Sequence, residues 1–294
     1  MNGIIAILTD FGNQDAYPAI MKGVILSINR EAIIIDVTHQ VKPYSIVSAS
    51  YLLYTAWDYY PEGTTFLAVI DPGVGSSRGI LIATDKPRSK VLVTPDNGIV
   101  SMLVRMKKLE NFYRPSEETM KSIKQLIPNT SSTFHGRDIF SPLTALISKN
   151  GIEEIVGEEI SPQILADLSP TISVENSVEG NPVTTLIKGK ILHIDNFGNC
   201  ISSIHKNDML TAKKILGLQA KIETNLPTTP IDIQVGKIHL HKLSDYFSQA
   251  DIGSALAYIG SSGFLEIAIN QGNAASTLDI EIGDEVNVRN KIPT

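Results

Sequence analysis

The sequence is short of cysteine, of basic clusters and of long apolar runs, and each shortage excludes a class of protein. Among 294 residues there is one cysteine, Cys200. No intramolecular disulfide framework and no cysteine-rich zinc site can therefore be built. Lys and Arg number 25 against 31 Asp and Glu, a formal charge of −6, and the one short basic run is Arg105-Met106-Lys107-Lys108. That run reads as the solvated end of a helix and leaves no electrostatic footprint for nucleic acid. No stretch approaches the ~20 apolar residues of a membrane span. The opening Met1-Asn2-Gly3-Ile4 lacks the basic region of a signal peptide. A soluble, cytoplasmic protein is expected. Charged residues make up only 19%, but 43% hydrophobic residues exclude global disorder. The 21 Gly and 15 Pro recur without a period, which excludes a collagen-like chain.

What is present reads as two unlike halves. Ile4 to Thr9 is a short continuous apolar run, suited to a strand covered on both faces. Asp15 to Ile28 is apolar at helical spacing, with Pro18 in its first turn. Ala32 to Val37 and Thr64 to Ile70 read as further buried strands, with a helix from Tyr44 to Tyr60 between them. Leu81 to Thr84 and Val91 to Thr94 read as short strands, and Asp138 to Lys149 as a helix. Alternating strands and helices imply βαβ units, and hence an α/β domain with a doubly wound, mostly parallel sheet over residues 1–182.

The pattern then changes. Thr184 to Ile194, Ala220 to Glu223, Ile231 to His241, Ala255 to Ile259, Leu265 to Ile269 and Ile280 to Val288 read as strands with little helix between them. A smaller all-β, barrel-like domain over residues 183–294 is expected, with Leu168 to Pro182 as the linker. The polar stretch Lys107 to Ile127 suggests no role.

Polar clusters sit where strands of the first half end: Thr9-Asp10-Phe11-Gly12, Asp36-Val37-Thr38-His39, Asp71-Pro72-Gly73-Val74-Gly75 and Thr94-Pro95-Asp96-Asn97-Gly98. Ligands of open parallel sheets bind outside those ends. One such Asp is commonly a cap or a turn former; four together suggest a crevice. A fifth cluster, Thr133-Phe134-His135-Gly136-Arg137-Asp138, precedes a helix, with Asp138 expected as its N-cap and His135 free to face a cleft. Gly73-Val74-Gly75 begins like a dinucleotide fingerprint but has Arg78 in place of the third Gly and a strand where a helix is needed. No P-loop and no G-x-S-x-G elbow occurs. His239 and His241 share a strand face without a third ligand at useful spacing, and His39, His193 and His205 are isolated, so no metal is expected.

The second half holds Asp195-Asn196-Phe197-Gly198-Asn199. It suits a hairpin turn, but Phe197 is an odd residue for one. A Phe beside an amide is also what a purine site needs. Ser262-Gly263-Phe264-Leu265-Glu266 and Asn270-Gln271-Gly272-Asn273-Ala274-Ala275 add small and polar residues around a strand.

In their order along the chain, T-D-F-G, D-V-T-H, D-P-G-V-G-x-x-R, P-D-N-G, T-F-H-G-R-D, D-x-F-G-N, S-G-F-L-E-I-A and N-x-G-N-A-A resemble the SAM hydroxide adenosyltransferase family. These are the adenosine-forming S-adenosyl-L-methionine hydrolases, related to fluorinase and chlorinase. The motifs run from Thr9 to Ala275, nearly the whole chain. The resemblance implies hydrolysis of S-adenosyl-L-methionine to adenosine and methionine without a cofactor. It implies that Asp71, Arg78 and His135 handle the water, with either Asp71 or His135 taking its proton. It further implies that Asp10 binds the ribose diol, Asp195 the methionine ammonium, and Phe197 and Asn199 the adenine. Ser262, Glu266 and Ala274 match further ligand positions. A homotrimer with sites at subunit interfaces is also implied. The halide-using relatives carry a small residue at the position of His135 and, in fluorinase, an extra loop, so the water-using branch is expected. Two other readings fit the same residues: a non-catalytic adenosine- or S-adenosylmethionine-binding protein, with the Asp71–Arg78–His135 set as a structural network, and a Ca²⁺-dependent nucleosidase.

Overall fold

The computed structural model describes residues 2–85, 89–175, 184–215 and 231–291. The chain divides into two compact units, residues 1–165 and 166–294. The first contains β1 (Ile4–Thr9), α1 (Tyr17–Ile28), β2 (Ile33–Thr38), α2 (Ile46–Trp57), β3 (Thr65–Val69), β4 (Ile80–Thr84), β5 (Val91–Pro95), α3 (Ser101–Arg105), β6 (Asn111–Pro115), α4 (Glu117–Leu126), α5 (Ser141–Asn150) and β7 (Val156–Glu159). Its sheet has the order β2-β1-β3-β5-β4-β6-β7. The first four strands in that order pair in parallel, and the last three join antiparallel. β4 and β5 are sequential neighbours linked too briefly for a crossover helix, so they must pair antiparallel.

Both sheet faces are covered, as continuous apolar runs require. Ile5 and Ile7 of β1 point to a layer containing Met21 and Ile25 of α1 and Leu143 and Ile147 of α5. The alternate residues Ala6 and Leu8 point to Ala49, Leu53 and Trp57 of α2 and Leu103 of α3. The sheet is therefore doubly wound. One expectation fails at its edge: Ile33 and Ile35 of β2 are exposed, because β2 has a neighbour on one side only. Lys107 to Ile127, which suggested nothing, supplies β6 and α4. Ser116 caps α4 by accepting the Thr119 N–H at 3.1 Å, and Glu117 and Glu118 sit favourably in its first turn.

The second unit contains β8 (Thr171–Glu175), β9 (Thr184–Ile194), β10 (Cys200–His205), α6 (Lys206–Ile215), β11 (Ile231–Val235), β12 (Ile238–Leu240), β13 (Leu243–Ser244), β14 (Ala255–Ile259), β15 (Phe264–Ile269), α7 (Ala274–Leu278) and β16 (Glu285–Lys291). The sheet order is β12-β11-β16-β9-β10-β15-β14-β13, with β8 also paired to β9. β12 from one end of this order lies against β14 near the other, giving a nearly closed, barrel-like sheet. Inward residues Ile187, Ile191, Ile204, Ile233, Leu265, Ile267 and Val286 fill it.

Three local expectations change here. Part of the expected linker is strand β8, held by pairing along β9. The expected strand Ile231 to His241 is a hairpin, turned at Gly236 with φ of 54°. The last strand starts at Glu285, five residues later than expected, because Asp284 closes a turn by accepting the Glu281 N–H. The expected strand Ala220 to Glu223 lies outside the described residues. Among the described residues no helix is long and apolar enough to cross a membrane.

Candidate active site

The strands β1, β2, β3 and β5 run the same way, so the clusters that follow them lie at one edge of the first unit's sheet. Asp10 follows β1. Its carboxylate accepts the Tyr44 N–H at 2.8 Å, and Tyr44 takes a left-handed backbone (φ 66°) to present it. Burial, with Asp71 as a further cause, pushes the Asp10 carboxyl above its ordinary range. The turn after Asp10 is pinned from the second cluster. The His39 carbonyl accepts the Gly12 N–H at 2.7 Å, and His39 Nδ1 lies 2.8 Å from the Thr9 hydroxyl. His39 Nε2 is in turn 3.1 Å from Asp36, which Lys22 holds at 2.6 Å.

Asp71 and Arg78 sit on the loop between β3 and β4. The Arg78 Nε donates to both Asp71 oxygens, at 3.0 and 3.1 Å, and Nη2 donates to Oδ2 at 2.5 Å. The same Nη2 donates to His135 Nδ1 at 2.9 Å. A guanidinium has no acceptor, so Nδ1 must be unprotonated in this arrangement and the imidazole proton resides on Nε2. Burial, then the charge of Arg78, holds the His135 pKa below the usual imidazole value. The side chains of Asp71 and Arg78 are 6% and 10% exposed, so this pair is shielded from solvent. The Arg78 guanidinium also lies over the Phe140 ring, 5.0 Å from its centroid.

Two features hold the T-F-H-G-R-D segment in place, one from this loop and one from the Asp10 turn. Gly75 has φ of 78° and packs where a Cβ would meet the Ser132 carbonyl, so only glycine allows that approach. Phe11 and Phe134 make an edge-to-face pair at 5.9 Å, joining the Asp10 turn to the His135 segment. Asp138 is not the N-cap that the sequence suggested. The chain forms a π turn over Gly136–Phe140 before α5, which places Asp138 inside it. There Asp138 is held by Arg137 and accepts the Ser131 N–H at 2.7 Å, bracing the approach to His135.

The second unit gathers its own polar set. Asp195 closes the D-N-F-G-N turn itself: Oδ1 accepts the N–H groups of Phe197 and Asn199, each at 2.9 Å, and Oδ2 accepts Asn199 Nδ2 at 2.8 Å. The turn projects Phe197, which is 74% exposed. Gly198 has φ of 85°, and a Cβ there would overlap the Asn273 amide. Its carbonyl also accepts the Ala275 N–H at 3.0 Å. The turn and the N-x-G-N-A-A segment are thus packed together, and Ala274 is buried at the start of α7. Glu266 on β15 is buried and accepts the Tyr258 hydroxyl at 2.5 Å. Burial, with Asp195 adding repulsion, pushes its carboxyl up. Ser262 lies in the turn between β14 and β15. Cys200 is buried, and burial pushes its thiol up to about 12, so it is no nucleophile.

The structure thus brings Asp71, Arg78 and His135 into contact in the first unit, with Asp10 close enough to Asp71 to feel its charge. It brings Asp195 and Asn199 into contact in the second unit, beside Phe197, with Glu266 near enough to Asp195 to feel its charge. Among the described residues, no group of three or more His, Cys, Asp and Glu is arranged to hold a metal ion. His239 and His241 share a face as expected, and both approach Asp232, at 3.0 and 3.3 Å. Tyr44, whose backbone fixes Asp10, was not anticipated. The sequence reading put Tyr44 at the start of a helix, but α2 begins at Ile46 and Tyr44 lies in the turn before it.

The model of the SAM hydroxide adenosyltransferase N-terminal domain matches residues 5–156, and that of the C-terminal domain matches residues 189–287. An (R)-S-adenosyl-L-methionine hydrolase from Methanocaldococcus jannaschii is 32% identical, over 97% of this chain and 95% of that one. The crystal structure of an uncharacterised conserved protein from Thermotoga maritima is similar with a TM-score of 0.78 and 31% identity, over 97% of this chain and 99% of that one. A fluorinase from Actinopolyspora mzabensis is 24% identical, over 97% of this chain and 96% of that one. Its alignment spans 311 positions against 290 for the hydrolase at the same coverage of this chain, so the fluorinase carries insertions that this chain lacks. With both domain models and a relative of this identity matched along almost its full length, the chain belongs to the SAM hydroxide adenosyltransferase family.

Proposed function

We propose that this protein hydrolyses S-adenosyl-L-methionine to adenosine and L-methionine, by in-line attack of water at C5′. The observation that carries this reading is the Arg78 guanidinium shared between Asp71 and the Nδ1 of a neutral His135. Methionine leaves the sulfonium as a neutral thioether, so the leaving group needs no acid. The difficulty lies with the nucleophile, a weak one that must be aligned with the C–S bond. Arg78 supplies a fixed positive charge that favours hydroxide-like character in the attacking water. His135, with its proton on Nε2, donates to the oxygen of that water. Asp71 keeps lone pairs beyond those that Arg78 occupies, and it takes the proton. Attack of an oxyanion on a sulfonium cancels charge, so shielding from solvent favours the transition state.

Asp10 accepts from the ribose diol, and the turn at Asp195 receives the methionine ammonium. Phe197 and Asn199 take the adenine, with Ser262, Glu266 and Ala274 completing that side. Each unit carries part of this set. The family resemblance supports a homotrimer in which the first unit of one subunit and the second unit of another hold the same substrate molecule. His135 and the insertions found in the fluorinase but not here favour water over halide as nucleophile. The single, buried, unreactive thiol suits a cytoplasmic location.

The test is incubation of the purified protein with S-adenosyl-L-methionine, with and without EDTA, and chromatographic separation of products. Equal amounts of adenosine and methionine, unchanged by EDTA, are expected. Free adenine and a need for metal would point to a nucleosidase. Intact substrate bound to the protein would make it a binding protein.

A further inference from the structure

We propose that Arg114, with Asp96 and Asn97, is a positioning clamp for the loop that carries Asp71 and Arg78. The inference rests on the catalytic reading of that loop given above. The loop spans Asp71 to Gly79, and the backbone at both of its ends is held by one neighbouring turn. At the leading end, the Asn97 side-chain amide donates to the Ile70 carbonyl at 2.8 Å, one residue before Asp71. At the trailing end, the Asp96 N–H donates to the Gly79 carbonyl at 3.0 Å, one residue after Arg78. Arg114 closes the device from β6. Its Nη1 donates to the Ile80 carbonyl at 2.8 Å and its Nη2 to Asp96 Oδ2 at 2.7 Å. The other Asp96 oxygen accepts the Gln163 N–H at 2.8 Å, which fixes the carboxylate from its far side.

Asp96 is buried, its side chain only 5% exposed, so its pairing with Arg114 is partly shielded from solvent screening. Gly79 reports how close the guanidinium sits: a Cβ built there would fall within the Arg114 guanidinium group. None of these groups is placed to touch substrate in the reading above. Their effect passes through the loop ends to the spacing between Asp71, Arg78 and His135. In-line attack is sensitive to such spacing, since a shift of about 1 Å can cost ~100-fold in rate. Substrate affinity, carried by Asp10 and by the second unit, should be left nearly intact.

The experiment compares kcat, KM and thermal melting for the wild type and for Arg114→Met, Arg114→Lys and Gly79→Ala, with S-adenosyl-L-methionine as substrate. The expected result for Arg114→Met is a kcat lowered about 10- to 100-fold with KM within about twofold. Arg114→Lys should recover part of it, since an ammonium still donates to Asp96. Gly79→Ala leaves every charge in place and pushes the guanidinium aside, so it should show the same split. The proposal is overturned if kcat of Arg114→Met stays within about twofold of the wild type, if KM and kcat change together, or if Gly79→Ala displaces nothing in kcat. Failure of both Arg114→Met and Gly79→Ala to fold also overturns it, because the contact is then a determinant of the fold. A wild-type protein that releases no adenosine contradicts the hydrolase reading itself, before any variant is compared.

Discussion

The two units spend their charges differently. In the first, Asp71, Arg78 and His135 are bonded to one another, and their orientation depends on a network of side chains from distant parts of the sequence. In the second, Asp195 bonds to its own turn, within four residues, and what it presents to solvent is an aromatic face. A long-range network fixes relative geometry, which is what a reaction requires. A self-closed turn fixes a surface, which is what recognition requires. The difference teaches that the Asp71–Arg78–His135 network should govern rate and the turn of the second unit affinity, with Asp10 as the first unit's own contribution to binding.

The largest expected effect is on the network of the first unit. Asp71→Asn keeps the shape but removes the proton acceptor. Its kcat should fall by about 10³-fold, while equilibrium binding of S-adenosyl-L-methionine by calorimetry changes little. A loss of binding equal to the loss of rate would erase the distinction. Next comes the turn of the second unit. Gly198→Ala forces a side chain into a left-handed backbone and onto Asn273, and should cost about 1–2 kcal/mol of stability in denaturant titration. A neutral result would mean that the packing between the two motifs is loose. Phe197→Ala removes a stacking face without touching the turn's hydrogen bonds. KM should rise about fivefold, near 1 kcal/mol, with kcat unchanged; a fall in kcat would give the second unit a role in rate.

The smallest effect is on pH dependence. His135 must be neutral to accept from Arg78, and its pKa is lowered from 6.5 by burial and by Arg78. A lowered value keeps the neutral form on acidification, so activity is lost only as pH falls through that lowered pKa. The acid limb of kcat should therefore lie below pH 6.5, and a limb at or above 6.5 would contradict the lowering of the His135 pKa by burial and Arg78.

Much of the first unit was legible because its strands are continuous apolar runs that end in Asp and Gly. A buried parallel strand permits little else, and the strand ends then fall together at one edge. The contact among Asp71, Arg78 and His135 was named through family resemblance; spacing alone could not show that Arg78 turns back onto Asp71. Asp138 was misread because an Asp ahead of a helix looks the same whether it caps the helix or lies in a π turn before it. Ser116, followed by Glu117 and Glu118, was a readable helix start that the polar composition of its surroundings hid. Arg114 carried no signal. It is one arginine in a short strand, and what gives it a role is the sheet order that sets β6 beside β4. The hairpin at Gly236 did leave a signal: the apolar alternation shifts phase there, from Ile231, Ile233 and Val235 to Ile238 and Leu240, across Gly236-Lys237.

The most direct test of the central claim is to run the reaction in ¹⁸O-labelled water and examine both products by mass spectrometry. Attack of water at C5′ predicts one ¹⁸O in the adenosine 5′-hydroxyl and none in methionine. Adenosine without the label, or no adenosine at all, would contradict it.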